Sequence, residues 1–189
     1  MKQQPSHGIR QEAGPVFHEL RGKFPRIVRD GWQEPPLEVV VIEKDSIARV
    51  AGYLRESWGV AALMDLTVVD YQGYAGGKKP ARFEVVWYFQ SFESGRRIRI
   101  KAAVPDTDPV VPSLSGLYAS ADWLEREAWD MFGIGFTGHP GLRRILMYEE
   151  FSGHPLRKDY PLAKEQPLVE QVHPGVPPFG AKPKALGGE

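Results

Sequence analysis

The chain has 189 residues, of which 42% are hydrophobic and 25% charged, a composition typical of one folded domain rather than of a disordered chain. Its 24 basic and 24 acidic side chains give a formal net charge of +0, so no overall charge favours nucleic acid or anionic lipid. The sequence contains 0 cysteines, which excludes disulfides, iron–sulfur ligation and thiol nucleophiles.

Membrane and secretion signals are also missing from the sequence. No stretch approaches the roughly 20 apolar residues that span a bilayer. The N-terminus, MKQQPSHGIRQEAG, has no apolar region of the kind found in secretory signals. We therefore expect a cytoplasmic protein whose membrane contact comes through partners.

The first predicted elements are a short helix and two strands. Residues 1–13 are polar, and we expect them to be flexible. A helix is predicted from Pro15 until Pro25 stops it, and a short strand follows at 27–28. The valine-rich stretch Leu37–Ile42 predicts a buried strand.

The second predicted helix has the most regular pattern in the chain. We predict that Asp45 caps it and that Gly59 ends it in the left-handed conformation. Apolar side chains recur between them at helical spacing and predict one buried stripe: Ile47, Val50, Ala51, Leu54 and Trp58.

The middle of the chain predicts three strands, at 63–71, 83–89 and 96–104. Apolar and polar residues alternate with a period of two, so Ile98 and Ile100 are expected to point inward and the basic residues around them outward. A glycine-rich loop and a tight turn join these strands, which favours an antiparallel meander.

The second half of the chain predicts less regular structure. We expect a loop over 104–113, a short helix from about Ser113 and a longer helix that begins at Asp122 and stops at Gly133. Glu125 stands three residues after Asp122, as in a capping box.

The fold class predicted by this order is α+β: a two-layer domain with helices on a small mixed, largely antiparallel sheet, followed by an extended irregular C-terminal tail. The expected division is a flexible N-terminus at 1–13, the α+β domain at 14–134 and a tail at 135–189. The tail is dense in glycine and proline and lacks periodicity, which suits a segment that docks on a partner's surface.

Charged residues cluster on the last predicted helix, namely Glu125, Arg126, Glu127 and Asp130. Glu127 and Asp130 lie three residues apart and share a face, and Arg126 stands four residues before Asp130. One interpretation is a carboxylate pair for proton handling, or an acidic patch that meets a basic partner. The other is a solvated face whose charges pair with each other, and spacing alone favours it.

Two adjacent arginines follow this helix. We expect one of Arg143 and Arg144 to bind a carboxylate within the chain, Glu127 or Asp130, and the other to bind a neighbour. Phosphate binding is disfavoured because no glycine-rich phosphate loop accompanies the pair.

Two His-Pro pairs, at 139–140 and 154–155, suggest a metal site, but their spacing matches no zinc pattern. We expect them to act as turns that route an extended chain. The stretch LRKDYP at 156–161 combines charge with an aromatic ring and suits docking on another protein, with an ordinary basic turn as the alternative. The sequence contains no nucleophile elbow, Walker loop, dinucleotide fingerprint or HExxH motif.

Residues 121–162 resemble the signature of one protein family, the C-type (30 kDa-type) subunit of the proton-pumping NADH:quinone oxidoreductase (respiratory complex I). The matching stretches are ADWLERE (121–127), DMFGI (130–134), Phe136, GHP (138–140), LRRIL (142–146) and PLRKDYPL (155–162). Two positions depart from the family pattern: Trp129 replaces a smaller aromatic residue, and Gly141 replaces an acid or amide. Neither departure changes the charge pattern.

The resemblance implies a non-catalytic subunit without a redox centre. Such subunits lie in the hydrophilic arm, on the cytoplasmic side of the inner membrane, against the D-like subunit near the quinone site and beside iron–sulfur subunits. FMN, iron–sulfur clusters and quinone are then expected in partner subunits. Signature residues are expected to fix the helix and tail, partly internally and partly against the D-like subunit: Glu125, Arg126, Glu127, Asp130, His139, Pro140, Arg143, Arg144, Arg157, Lys158, Asp159 and Tyr160.

Three alternatives remain open. Related membrane-bound hydrogenases and F420H2- or ferredoxin-dependent complexes carry similar subunits, so the electron donor is not fixed by the resemblance. A free-standing enzyme would use Glu127, Asp130 and the histidines, and it predicts turnover by the purified chain. An adaptor outside respiration predicts a stable soluble partner with no membrane sector.

Overall fold

The computed structural model describes residues 12–77 and 79–163. The helices and strands of this part follow one another in the order α1 (Pro15–Lys23), β1 (Val28–Glu34), β2 (Leu37–Ile42), α2 (Ile47–Trp58), β3 (Ala62–Asp70), β4 (Phe83–Gln90), β5 (Arg97–Val104), β6 (Val110–Pro112), α3 (Ala121–Phe132) and β7 (Gly135–Thr137). None of the helices formed by these residues has the length and apolar character of a bilayer-spanning segment.

Five strands form the main sheet, in the order β1-β2-β5-β4-β3. Strands β3, β4 and β5 pair antiparallel in sequence, which confirms the predicted meander. β2 pairs antiparallel with β1 but parallel with β5, so the sheet is mixed and largely antiparallel, as predicted. The helices contribute buried side chains to the same core as the sheet, and the predicted two-layer α+β class is therefore confirmed.

The core lies on one face of this sheet because the strands alternate. In β5, Ile98 and Ile100 are fully buried, whereas Arg97 is exposed and Arg99 and Lys101 are half-buried on the other face, as the period of two predicts. The apolar stripe of α2 packs on the core face, with its first four members buried and Trp58 half-buried. Each fully buried valine, leucine or isoleucine among them contributes about 1.5–3 kcal/mol to the free energy of unfolding.

The predicted start of α2 is wrong, whereas its end is confirmed. A short 3-10 helix, Lys44–Ser46, precedes α2, and the Asp45 carboxylate lies 3.0 Å from the Lys44 Nζ instead of accepting from the helix N-terminus. Gly59 adopts the predicted left-handed conformation, with a φ of 58°. A nearby lysine competes with the backbone N–H groups for the carboxylate, and spacing alone does not reveal that competition.

Two further predictions of secondary structure are wrong because pairing between distant residues overrides the local pattern. β1 extends over seven residues rather than two; a register shift between Val28 and Asp30 breaks its alternation. Part of the predicted loop at 104–113 is strand β6, which pairs in parallel with β7. Ser113 continues this pairing through its N–H to the Thr137 carbonyl, at 2.9 Å, and does not begin a helix.

Candidate interface on the last helix

The chain after β7 crosses helix α3 as an irregular segment, residues 138–163, which we name the strap. Three charged side chains of helix α3 are buried: Glu125 and Asp130 are 0% exposed and Arg126 is 8% exposed. Glu127 is exposed. The interpretation of this helix face as solvated and self-paired is therefore wrong for three of its four charges, and each of these needs a partner inside the protein.

Asp130 is the main anchor of the strap. Its Oδ2 accepts three successive backbone N–H groups, from Ile145 at 3.0 Å and from Leu146 and Met147 at 2.9 Å. Its Oδ1 accepts from the Arg144 guanidinium. Burial alone raises the pKa of this carboxyl, but the N–H groups and Arg144 outweigh burial and hold the pKa below its usual value.

Arg144 extends this anchor along the strap. Beyond Asp130 it donates to the carbonyls of Phe151, at 2.7 Å, and Gly153, at 3.1 Å. Its guanidinium also lies 5.7 Å from the ring centre of Trp129. The prediction that one arginine of the pair binds Asp130 within the chain is confirmed, and the other, Arg143, is exposed.

Arg126 has a different partner from the one expected. It does not pair with Asp130; its Nε donates to the Arg143 carbonyl at 3.3 Å and its Nη2 to the Arg144 carbonyl at 3.0 Å. The guanidinium lies 5.1 Å from the Trp123 ring centre. Asp130 is unavailable to Arg126 because strap N–H groups and Arg144 already occupy its oxygens, so Arg126 secures the strap backbone instead.

Both histidines of the His-Pro pairs hold the strap through hydrogen bonds to α3. The His154 Nδ1 lies 3.0 Å from the Asp130 carbonyl, and burial lowers the pKa of the ring, so the neutral imidazole donates there. The His139 Nδ1 accepts from the Gly141 N–H at 3.0 Å, and its Nε2 lies 3.2 Å from the Asp122 carbonyl. Across residues 12–77 and 79–163, no group of three or more His, Cys, Asp or Glu side chains is arranged to hold a metal ion.

The end of α3 leaves room for this contact. Gly133 has a φ of 73° and ends the helix, as predicted. A Cβ at this position would lie 2.6 Å from Cδ2 and Nε2 of His154. Glycine is therefore required twice, for the left-handed conformation and for the close approach of the strap.

Glu125 does not form the predicted capping box. Its carboxylate accepts from the Ser113 Oγ and from the Leu114 N–H, both at 2.6 Å, and so ties α3 to the chain that follows β6. Burial raises the pKa of this carboxyl, and the two hydrogen bonds oppose that rise only in part. A buried carboxyl with neutral partners is chemically distinct from Asp130, whose pKa is lowered.

Glu125→Gln is expected to flatten the pH dependence of stability. The pKa of Glu125 is higher in the folded protein than in the unfolded chain, where it is about 4.3. The contribution of this carboxyl to the free energy of unfolding is therefore fully present below about pH 4.3 and is lost as pH rises through the pKa of the folded state. The free energy of unfolding of the wild type, relative to that of Glu125→Gln, should therefore fall as pH rises above about 4.3. Urea titrations at a series of pH values from about 4 upward measure the difference. Glu127→Gln, the same chemical change at an exposed position of α3, is the matched control.

The far part of the strap binds the sheet. The Asp70 carboxylate, at the end of β3, accepts from the Lys158 N–H at 2.9 Å and from Arg82 at 3.0 Å. The same guanidinium donates to Asp159 at 2.7 Å and to Asp106 at 3.0 Å.

The sequence analysis does not identify Asp70 and Arg82 as part of the site. A signal was present, because Asp70 follows Leu66 and Val68 in the alternation of β3 and therefore faces the core. A charged residue at a core-facing position indicates a partner of opposite charge inside the protein.

Aromatic rings complete the packing of the strap. Arg157 donates to the Phe132 carbonyl at 2.6 Å and lies 5.1 Å from the Phe83 ring centre. Tyr160 stacks on Phe151, with ring centres 5.9 Å apart and planes 18° apart. These contacts hold the segment LRKDYP against the domain of the same chain. Lys158 takes part only through its backbone N–H, which binds Asp70, and its side chain is exposed.

Helix α3 and the strap expose large apolar side chains, three of which we name together the strap surface. Trp123 is 59% exposed, Leu146 57% and Leu156 51%. Glu127 and Arg143 are exposed on the same two segments, as is Pro140. Exposed apolar residues held on a fixed backbone are typical of a protein interface.

The fold and the site define an α+β domain whose last helix fixes an irregular strap through buried charges. Residues 40–166 match the family model for the 30 kDa subunit of respiratory-chain NADH dehydrogenase, and the chain belongs to that family. The resemblance of residues 121–162 to the C-type subunit of complex I is thereby confirmed.

Curated relatives agree with this assignment. The C-type subunit of the NADH-quinone oxidoreductase of Trichlorobacter lovleyi is 43% identical over 147 residues, which cover 78% of this chain and 88% of the relative. The corresponding subunit of Herpetosiphon aurantiacus is 44% identical over 149 residues, which cover 78% and 83%. The chain is thus similar to subunits of an oxidoreductase complex over most of their length.

Two solved structures share the fold. A trypsin-resistant fragment (1-134) of Nqo5 is 32% identical, with a TM-score of 0.59, and the match covers 67% of this chain and 96% of the fragment. The membrane-bound sulfane sulfur reductase, an archaeal respiratory membrane complex, contains a chain that is 24% identical, with a TM-score of 0.64 and coverage of 78% and 85%. At that identity the second match shows the fold alone.

Proposed function

We propose that this chain is a structural subunit of the hydrophilic arm of a proton-pumping NADH:quinone oxidoreductase. It docks on the D-like subunit near the quinone site and supports electron transfer from NADH to quinone without a redox centre of its own. The observation that carries the proposal is the strap: buried charges of the family signature fix it inside the chain, and its outer side presents apolar residues.

A fixed strap supports docking for an energetic reason. A segment that is already ordered loses little conformational entropy when a partner binds, so more of the contact energy appears as affinity. Trp123 and Arg143 are the residue types most often found as interface anchors. We assign the outward residues of the signature, namely Glu127, Pro140, Arg143 and Lys158, to contacts with the D-like subunit. The inward ones hold the strap, except Glu125, which holds the chain after β6.

The cofactors of the reaction belong to partner subunits in this proposal. The sequence contains 0 cysteines, so the thiolates that hold iron–sulfur clusters come from other chains. FMN, the clusters and quinone lie in those subunits, among them the neighbours of this chain. Its place is the cytoplasmic side of the inner membrane, where it is held through the complex.

Co-purification tests the proposal directly. A tagged chain is recovered from gently solubilised membranes, and the proteins that accompany it are identified. A D-like subunit, iron–sulfur subunits and a flavin module with NADH:quinone activity would support the proposal. A hydrogenase or F420 module in place of the flavin module would change the electron donor, and recovery of the chain alone would contradict docking.

Arg143→Glu is expected to weaken docking without unfolding the chain. The Arg143 side chain is exposed, so its reversal should change the free energy of unfolding by less than about 0.5 kcal/mol. Recovery of the D-like subunit should fall about tenfold, because like charges meet across the interface. Arg29→Glu, on β1 away from the strap, is the control. Undiminished recovery with Arg143→Glu would remove Arg143 from the interface.

A further inference from the structure

The two ends of the main sheet differ in what covers them. The end that contains Asp70 carries the strap. At the opposite end, Leu37, Gln90 and Arg97 lie side by side, because Arg97 of β5 is in register with Leu37 of β2 and with Gln90 of β4. A cleft of about 430 Å³ opens at this end, and we name it the sheet-end cleft.

The walls of the sheet-end cleft are largely apolar. Leu37 and Tyr88 contribute half-buried side chains, and Met64 is 53% exposed at a register shift between β3 and β4. Methionine adapts its shape readily to a bound apolar group. Phe92, 65% exposed, follows β4 at the same end of the sheet. This end therefore resembles an interface that lacks its partner.

Arg97 is the cation of this cleft, and it differs from the other cations of β5. Arg99 pairs with Glu34 at 2.8 Å, and Lys101 pairs with Glu84 at 2.8 Å. Within the described part of the chain, Arg97 has no carboxylate within ion-pair distance, and Asp65, which also lines the cleft, does not reach it. Arg97 also lines a second, adjoining cleft of about 180 Å³, so it stands between two openings.

We propose that the sheet-end cleft binds an extended segment of another protein of the complex, in which a carboxylate residue adjoins an apolar side chain. The carboxylate binds the Arg97 guanidinium, and the apolar side chain packs between Leu37, Met64 and Tyr88. This inference rests on the proposed function, because it needs the assembled complex. It assigns a second contact, at the end of the sheet that the strap leaves uncovered.

The first experiment identifies the carboxylate. Arg97→Lys keeps the positive charge and supplies an amine, and a carbodiimide then joins an amine to a carboxylate only where the two touch. The variant complex is purified, treated and digested, and mass spectrometry identifies what is joined to position 97. We expect an amide to an Asp or Glu of another protein of the complex. An amide to Asp65 of the same chain, or to a second copy of this chain, would overturn the proposal.

The second experiment measures whether the cleft is covered. The sequence contains 0 cysteines, so Met64→Cys introduces the only thiol of the chain. Its alkylation by N-ethylmaleimide should be about tenfold slower in the assembled complex than in the isolated chain. Arg29→Cys, on β1 away from the strap and with a side chain that is 57% exposed, corrects for reagent access to the complex. Equal alkylation rates at position 64 in the two states, with no amide at position 97, would also overturn the proposal.

The two experiments separate this inference from the proposed function. Both are carried out on a complex whose subunits and NADH:quinone activity have already been established. If no complex co-purifies, the proposed function fails. If the complex is intact but the cleft is open, the sheet-end contact alone fails. Slow alkylation without any amide at position 97 would contradict the assigned carboxylate chemistry.

Discussion

Asp130→Asn is expected to lower the free energy of unfolding by about 3–5 kcal/mol, the usual effect of removing one partner from a buried ion pair. The amide keeps the volume of the carboxylate but loses its charge, and one end of it becomes a donor. The amide has one acceptor oxygen for these two sets of donors. If that oxygen accepts the three N–H groups of residues 145–147, the NH2 group faces the Arg144 guanidinium, and if it accepts from Arg144, the NH2 group faces the three N–H groups. Chemical denaturation at pH 7 measures the loss.

The matched control for this substitution is Glu127→Gln on the same helix. Its carboxylate is exposed, so the same chemical change should alter the free energy of unfolding by less than about 0.5 kcal/mol. If Asp130→Asn were equally mild, the strap would not depend on this anchor. Limited proteolysis adds a local measurement, because release of the strap should speed cleavage between residues 144 and 158.

The pH dependence of this effect follows from the lowered pKa of Asp130. A carboxyl whose pKa is lower in the folded state contributes stability that is present above its unfolded value, about 3.9, and lost as pH falls through the folded value. The difference between wild type and Asp130→Asn should therefore shrink as the solution is acidified below pH 4. The trend is opposite in sign to that expected for Glu125.

Arg82→Met is expected to lower the free energy of unfolding by about 3 kcal/mol. The Asp70 side chain is 0% exposed, and Arg82 is its only ion-pair partner among the described residues. Methionine keeps the aliphatic stem of Arg82 but leaves the Asp70 carboxylate buried without a cation. The substitution also removes the hydrogen bond to Asp159, so the far part of the strap should detach first. Denaturation at pH 7 measures the global loss, and proteolysis after Lys158 measures the local one.

Arg29→Met is the control for this second prediction. Arg29 and Glu43 form an ion pair whose side chains are 57% and 49% exposed, and an exposed pair contributes only about 0–1 kcal/mol. The same arginine-to-methionine change should therefore have little effect there. If both variants lost the same free energy of unfolding, the burial of Asp70 would not be the reason for the effect of Arg82→Met.

The two anchors act at different places on the same segment. Asp130 holds the Arg144 guanidinium and the backbone N–H groups of residues 145–147, and Arg82 with Asp70 holds residues 158 and 159. Trp123 on α3 and Leu146 and Leu156 on the strap stay exposed. Loss of either anchor should therefore weaken co-purification of the D-like subunit as well as stability, whereas Arg143→Glu should affect co-purification alone.

Much of the regular structure could be read from the sequence because its causes are local. The apolar stripe from Ile47 to Leu54 predicts α2, and Gly59 and Gly133 end their helices where the left-handed conformation requires glycine. Alternation in β5 predicts which side chains face the core. The sequence predicts only that one of the two adjacent arginines, at 143 and 144, binds Glu127 or Asp130. Spacing does not reveal which arginine faces inward or which carboxylate is buried.

The remaining features depend on residues that are distant in the sequence. Strands β6 and β7 are three residues each and have no periodicity of their own; they exist because they pair with each other. Glu125 occupies a capping-box position but binds Ser113 and Leu114 instead, since the chain after β6 brings these donors closer. Arg82 links β3 to the strap because the fold brings Asp70 and Asp159 to its guanidinium. These residues are 12 and 77 positions away in the sequence, so local pattern does not reveal the link.

The family of this protein, its α+β class and the charged signature of its last helix follow from the sequence alone. Tertiary packing determines which of those charges face inward. Burial changes the role of a charged group, because a carboxylate removed from water must find donors, and in this chain the backbone and arginines of the strap supply them. The same packing leaves Trp123, Leu146 and Leu156 outside, and that division between inner and outer residues could not be read from spacing alone.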